Sequence, residues 1–142
     1  MSESTGFSAA EQAAIAERAQ ELRAQRGGRK KADALQDLLV KIEEMPEQDR
    51  AMAVGVHRIV TEVAPELEPR TWYGMPAWAL DGEVLCFFTP SSKFDERYSS
   101  FGFNAAARLD EGSIWPTAFA VTEVDDAAAE RIAQLMARAL GD

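Results

Sequence analysis

Apolar residues recur at i, i+3, i+4 and i+7 through Leu35, Leu38, Leu39 and Ile42, which predicts an amphipathic helix over residues 32–44. Met45-Pro46 ends it. Pro46 suits the first position of a second helix, where its missing N–H costs nothing and Glu47 and Asp49 complement the helix dipole. That second helix carries Met52, Val56, Ile59, Val60 and Val63 on one face and stops before Pro65, so the pair forms a hairpin with one buried side. The same period returns in Ile132, Leu135, Met136 and Ala139, predicting a closing helix over about residues 125–140. Thr122 or Asp125 is placed to cap it and Gly141 to stop it.

Between these helices the pattern changes to short runs rich in aromatic and β-branched residues, broken by Gly, Pro and Asp, which is a strand signature. Strands are predicted near residues 70–73, 77–80, 83–89, 97–103 and 117–122. Asp81-Gly82 is the strongest hairpin signal, because a two-residue type I′ loop needs positive φ at both positions. In the third strand Val84, Cys86 and Phe88 alternate with Leu85 and Phe87, so both faces are apolar. That predicts a central strand covered on both sides, one cover coming from the N-terminal arm or a second subunit.

The arm itself, residues 8–26, has Ser8 and Glu11 at capping-box spacing and abundant Ala. Its apolar stripe is thin, Ile15, Ala19 and Leu22, and leaves three outcomes open: light docking, pairing with another chain, or fraying. Gly27-Gly28-Arg29-Lys30-Lys31 then reads as a basic hinge. The domain organisation expected is an arm and hinge over residues 1–30 and an α/β domain over residues 31–142. The expected fold is α+β: an antiparallel sheet of about five strands packed with an N-terminal helical hairpin and a C-terminal helix, plus the extra N-terminal helix.

Composition narrows function by exclusion. A net charge of −9 over 142 residues disfavours nucleic acid and anionic lipid, whose recognition needs clustered Lys and Arg. Cationic surfaces, metal cations or neutral small molecules suit it better. The single Cys86 leaves no partner for an internal disulfide or a CxxC site. No apolar run is long enough to span a membrane, and residues 1–7 lack a secretory pattern, so a cytoplasmic location is expected.

Candidate chemistry is sparse. His57, the only histidine, sits mid-helix without a sequence-local partner and reads as structural. Cys86 alternates inward and reads as core. Asp33, Asp37 and Glu44 could share a helical face with Lys41 between them, and such an acidic ridge could hold a hard cation weakly, with Glu43, Glu44 and Glu47 as the candidate ligands. A solvated surface is the preferred reading of these, and of Glu62, Glu66 and Glu68, since ordinary helices carry as many. No catalytic constellation is present.

The aromatic corner is the better candidate. Eleven of the twelve aromatics fall between Trp72 and Phe119. Gly74-Met75-Pro76 predicts a special turn. Around it Trp72, Tyr73, Met75, Trp78, Phe94 and Trp115 could line an apolar pocket, with Arg70, Lys93 and Arg97 as anchors for an anionic group. The same side chains also serve as a lid sealing the end of the sheet, the preferred reading, or, if exposed, as a protein-docking patch.

Trp72-Tyr73-Gly74-Met75-Pro76-Ala77-Trp78, the Asp81-Gly82-Glu83-Val84 turn, Phe87-Phe88, Lys93-Phe94, Phe101-Gly102-Phe103 and Trp115-Pro116-Thr117 together resemble the YdhG-like family, a bacterial domain family that includes a frataxin-like iron chaperone. The resemblance covers roughly residues 32–140. It implies a two-layer α/β fold with an antiparallel sheet, no known catalytic residues, and an iron-chaperone role through acidic carboxylates. Three functional expectations follow: a small cytoplasmic binding protein with iron as its most concrete cargo; a small-molecule site at the aromatic corner, where Tyr73 and Lys93 are the nearby proton-transfer groups; and a homodimeric interaction module.

Overall fold

The computed structural model describes residues 6–141; the stretch 1–5, within the segment read as lacking a leader, and Asp142 lie outside the described residues. Helices α1 (Ala9–Arg26), α2 (Lys31–Glu43) and α3 (Glu47–Val63) precede strands β1 (Glu68–Trp72), β2 (Met75–Leu80), β3 (Glu83–Thr89), β4 (Ser99–Phe103) and β5 (Ala118–Val121), and α4 (Asp126–Ala139) closes the chain. The architecture is α+β, as expected. The five strands form one antiparallel meander in the order β1-β2-β3-β4-β5. No helix among the described residues is long and apolar enough to cross a membrane.

Local chemistry explains most boundaries. Ser8 Oγ accepts the Glu11 N–H at 3.1 Å and Glu11 returns a carboxylate to the Ser8 N–H at 2.9 Å, completing the expected capping box of α1. Asp125, rather than Thr122, caps α4 by accepting the Ala128 N–H at 2.9 Å. Pro46 stands one position earlier than expected, as the N-cap of α3. Asp81 and Gly82 take φ values of 52° and 87°, the turn their sequence predicts between β2 and β3.

One face of the sheet carries Trp78, Cys86, Phe88, Phe101 and Phe103 into a core shared with Leu38 and Ile42 of α2, Val56 and Val60 of α3, and Ile132 and Met136 of α4. Each large side chain sealed there contributes about 1.5–3 kcal/mol relative to exposure. β3 is the middle strand, as expected, but its alternation breaks. A bulge opposite Trp78 and Ala79 inserts Leu85, so Leu85 and Cys86 both join the core cluster. The expectation that Leu85 faces away from Cys86 is corrected on that ground.

The second face is built from Arg70, Trp72, Met75, Ala77, Ala79, Val84, Phe87 and Gly102. Val84 and Phe87 are only half-buried there, so the cover predicted for this side is partial. α1 supplies part of it at the β1 end. Its docked side is not the predicted one: Ile15 and Leu22 stay exposed, at 46% and 38%, as does Ala19. Ala14 is buried, and Glu17, Arg18 and Glu21 are half-buried beside it on the same stripe.

Candidate functional site

The feature expected as a Gly74-Met75-Pro76 corner is a two-residue hairpin turn. Tyr73 and Gly74 adopt φ values of 55° and 76°, and Trp72 pairs directly with Met75, so Met75 and Pro76 already belong to β2. The turn presents two adjacent backbone N–H groups outward, and the arm fills them. Glu21 accepts from Tyr73 N–H at 2.9 Å and from Gly74 N–H at 2.9 Å, one per carboxylate oxygen. One turn earlier on α1, Glu17 accepts from Lys41 Nζ at 2.6 Å and Lys93 Nζ at 2.9 Å. Arg18 pairs with Glu21 at 3.3 Å and lies 5.7 Å over the Tyr73 ring. The Glu17 carboxylate rests directly on Gly74, where a β-carbon would collide with it.

Burial opposes the Glu17 charge, and the hydrogen bonds from Lys41 and Lys93 outweigh that, holding its pKa below the ordinary 4.5. The sign follows. A depressed carboxylate stabilises the docked arm above the ordinary pKa, and that contribution is lost as pH falls through the lowered value. Amide hydrogen exchange at Tyr73 and Gly74, protected at neutral pH, is therefore expected to lose protection on acidification below 4.5 relative to the β3 and β4 amides; uniform protection throughout would show that Glu17 does not hold the arm.

Beside the turn, between α1 and the sheet, lies an open hollow of about 300 Å³ lined by Phe7, Glu11, Ala14, Ile15, Trp72, Tyr73, Met75 and Phe94. Trp72 is fixed edge-on to Tyr73 at 4.9 Å and against Phe87 at 5.0 Å, which holds the aromatic wall in place. Met75 Sδ accepts a hydrogen bond from Thr89 Oγ1 at 3.1 Å. Four of the residues expected at the corner thus meet: Trp72, Tyr73, Met75 and Phe94.

The others do not. Trp78 is 1% exposed on the opposite face, because period-two alternation from Met75 turns it into the core. Its indole N–H donates to His57 Nδ1 at 3.2 Å. Trp115 packs against the core cluster, away from the hollow. Arg97 precedes β4 and is exposed, stacked over Tyr98 at 5.2 Å. Arg70 pairs with Glu68 at 3.3 Å and lines a separate hollow with Glu21 and Arg29. Lys93 is near the turn but is spoken for by Glu17. The expected anion anchors therefore do not converge on the apolar hollow.

The carboxylates are dispersed as well. Glu43, Glu44 and Glu47 are exposed, Glu44 lies 3.7 Å from Lys41, and Asp37 is held by Arg29 at 2.6 Å. Among the described residues, no three His, Cys, Asp or Glu side chains are grouped so as to hold a metal ion. Cys86 is sealed, its Sγ 3.8 Å from Met136 Sδ, and burial drives its pKa far upward, so it is core as expected. His57 accepts from Trp78, which fixes its neutral tautomer, and burial lowers its pKa below 6.5.

One polar cluster escaped the sequence reading. Asp49, buried in the first turn of α3, accepts from Ser91 Oγ at 2.9 Å, Ser92 N–H at 3.1 Å and Ser99 Oγ at 3.3 Å, while Ser99 Oγ accepts the Ser91 N–H at 2.9 Å. Burial works against the Asp49 charge, and the hydrogen bonds from Ser92, Ser91 and Ser99 outweigh it, leaving the pKa below 3.8. No buried side-chain polar atom among the described residues lacks a partner, so this network is complete and clamps α3 to the β3–β4 loop. Its signal in the sequence was an acidic residue in a helix first turn, which the dipole already explained; the serines lie 42, 43 and 50 residues away.

Comparison with family models, with curated proteins and with solved structures finds no match to this chain.

Proposed function

We propose that this chain is a small non-enzymatic binding protein whose ligand site is the apolar hollow between α1 and the Trp72–Tyr73–Met75 wall. The observation that carries the reading is the hollow itself. A shallow, open hollow of about 300 Å³, lined mainly by aromatic and aliphatic side chains, offers the size and chemistry for a compact neutral molecule. Phe7 and Ile15, exposed at 53% and 46%, form the outer wall, and Trp72, packed against Tyr73 and Phe87, forms the inner one.

A neutral fluorescent probe, 1-aminoanthracene, tests it in the full chain. Saturable binding with quenching of tryptophan emission is expected, removed by Trp72→Phe, the single tryptophan that lines the hollow. Ile15→Glu, at an exposed wall position, is expected to weaken binding at least about tenfold by placing a charge against the ligand. Equal affinity in wild type and Ile15→Glu would overturn the site. Anaerobic calorimetry with Fe(II) separates this reading from the iron donation that the YdhG-like resemblance implies. No saturable heat is expected; saturable binding lost when Glu43, Glu44 and Glu47 are neutralised would replace the reading with iron donation.

A further inference from the structure

We propose that the Tyr73–Gly74 turn, together with Lys41 and Lys93, is a recognition site for a partner-protein helix that presents two glutamates four residues apart, and that α1 occupies this site in cis as a built-in competitor. The donors come from three separate parts of the fold: Lys41 from α2, the two backbone N–H groups from the β1–β2 turn, and Lys93 from the β3–β4 loop. All four converge on Glu17 and Glu21. The site does not depend on the apolar hollow beside it.

The contacts favour a helix. Glu17 and Glu21 are four residues apart, a rise of about 6 Å along one helix face, and the same face brings Arg18 over the Tyr73 ring. An extended peptide could match the spacing of two same-side groups, about 6.6 Å, but would turn the neighbouring side chain to the opposite side. Gly74 adds steric selection, because its bare backbone lets the Glu17 carboxylate sit directly on the turn.

The way α1 is held also fits a plug better than a structural helix. It docks through Glu17, Arg18 and Glu21 with Ala14, while Ile15, Ala19 and Leu22 face solvent. A helix docked for stability buries its apolar stripe. A helix docked by charge is held by contacts that salt and competing carboxylates weaken. The chain leaving it turns at Gly28, whose φ is +80°, before Arg29 pairs with Asp37 of α2. As a tethered competitor the arm acts at an effective concentration of about millimolar, so a partner helix competes when it makes the same contacts and adds its own.

The test uses the full chain carrying Glu17→Gln and Glu21→Gln, which empties the site of its carboxylates, and a fluorescein-labelled peptide of residues 6–28 as a helix that presents the same pair of glutamates. By fluorescence anisotropy in low salt the double variant is expected to bind this peptide at least about tenfold more tightly than wild type. The gain is expected to vanish when Lys41→Gln and Lys93→Gln are added, and when the peptide itself carries Gln at both positions. Circular dichroism on the same samples confirms that each variant is folded. Equal binding by wild type and double variant overturns the proposal, as does a gain that survives loss of both lysines. Displacement of the peptide by equimolar inorganic phosphate would reassign the site to a simple anion. A wild-type chain that sediments as a dimer and dissociates on Glu17→Gln and Glu21→Gln substitution would assign the occupant in trans to a second copy's α1, overturning the separate partner.

Discussion

Asp49→Ala is expected to lower the unfolding free energy by about 3 kcal/mol, because it leaves the Ser91 and Ser99 hydroxyls and the Ser92 N–H without their acceptor in a buried site. Thermal unfolding followed by circular dichroism reads this as a fall in Tm of about 10 °C for a domain of this size. Asp49→Asn keeps one acceptor oxygen but loses the charge, and should fall between the two. The wild-type curve carries its own signature. Since the folded pKa of Asp49 lies below 3.8, its contribution is complete above that value and disappears as pH falls through the lowered one. Wild type and Asp49→Ala should therefore converge in strong acid. A constant difference down to the lowest pH would mean the carboxylate matters for its volume rather than its charge.

Trp78→Ala is expected to cost more, about 4 kcal/mol, through the cavity left in the core cluster beside its strand partner Cys86 and the loss of the indole donor to His57. Urea denaturation gives the magnitude. The gentler Trp78→Phe isolates the hydrogen bond. His57 has a folded pKa below 6.5, so the wild type loses stability as pH falls from about 6.5 through the lowered value, where the unfolded chain takes up a proton that the folded one resists. Without the Trp78 N–H on Nδ1, protonation costs less and the slope between pH 7 and 5 should flatten. An unchanged slope in Trp78→Phe would assign the whole shift to burial.

Most of the fold was legible because its signals are local. The stripes of α2, α3 and α4, the Ser8–Glu11 cap and the Asp81-Gly82 turn each need only neighbours a few residues away. What failed to read was whatever depended on register or on distant partners. Leu85 was assigned to the wrong face because alternation cannot reveal a bulge opposite Trp78. Trp78 was grouped with Trp72 because Tyr73-Gly74 does not look like a type I′ turn. A tyrosine at the first position hides the hairpin whose register places the two tryptophans on opposite faces. The docked side of α1 was missed for another reason. Periodicity arguments assume that the apolar stripe is the buried one, and here a turn and two lysines recruit Glu17 and Glu21 instead. Of the expected corner, the wall of Trp72, Tyr73, Met75 and Phe94 was visible in sequence, while Arg97 was carried in by its closeness to Phe94 along the chain and Trp115 by residue type alone.

The strand order has a kinetic consequence. Every neighbour in the sheet is also the next strand along the chain, so all four pairings close short connections and none waits for a distant segment to return. Such a sheet can zip from the Asp81-Gly82 turn outward, hairpin by hairpin, ahead of the slower event in which α4 folds back onto α3. α1 takes no part in that order. It arrives at a surface already built, which makes its attachment the first step to reverse and the last to form.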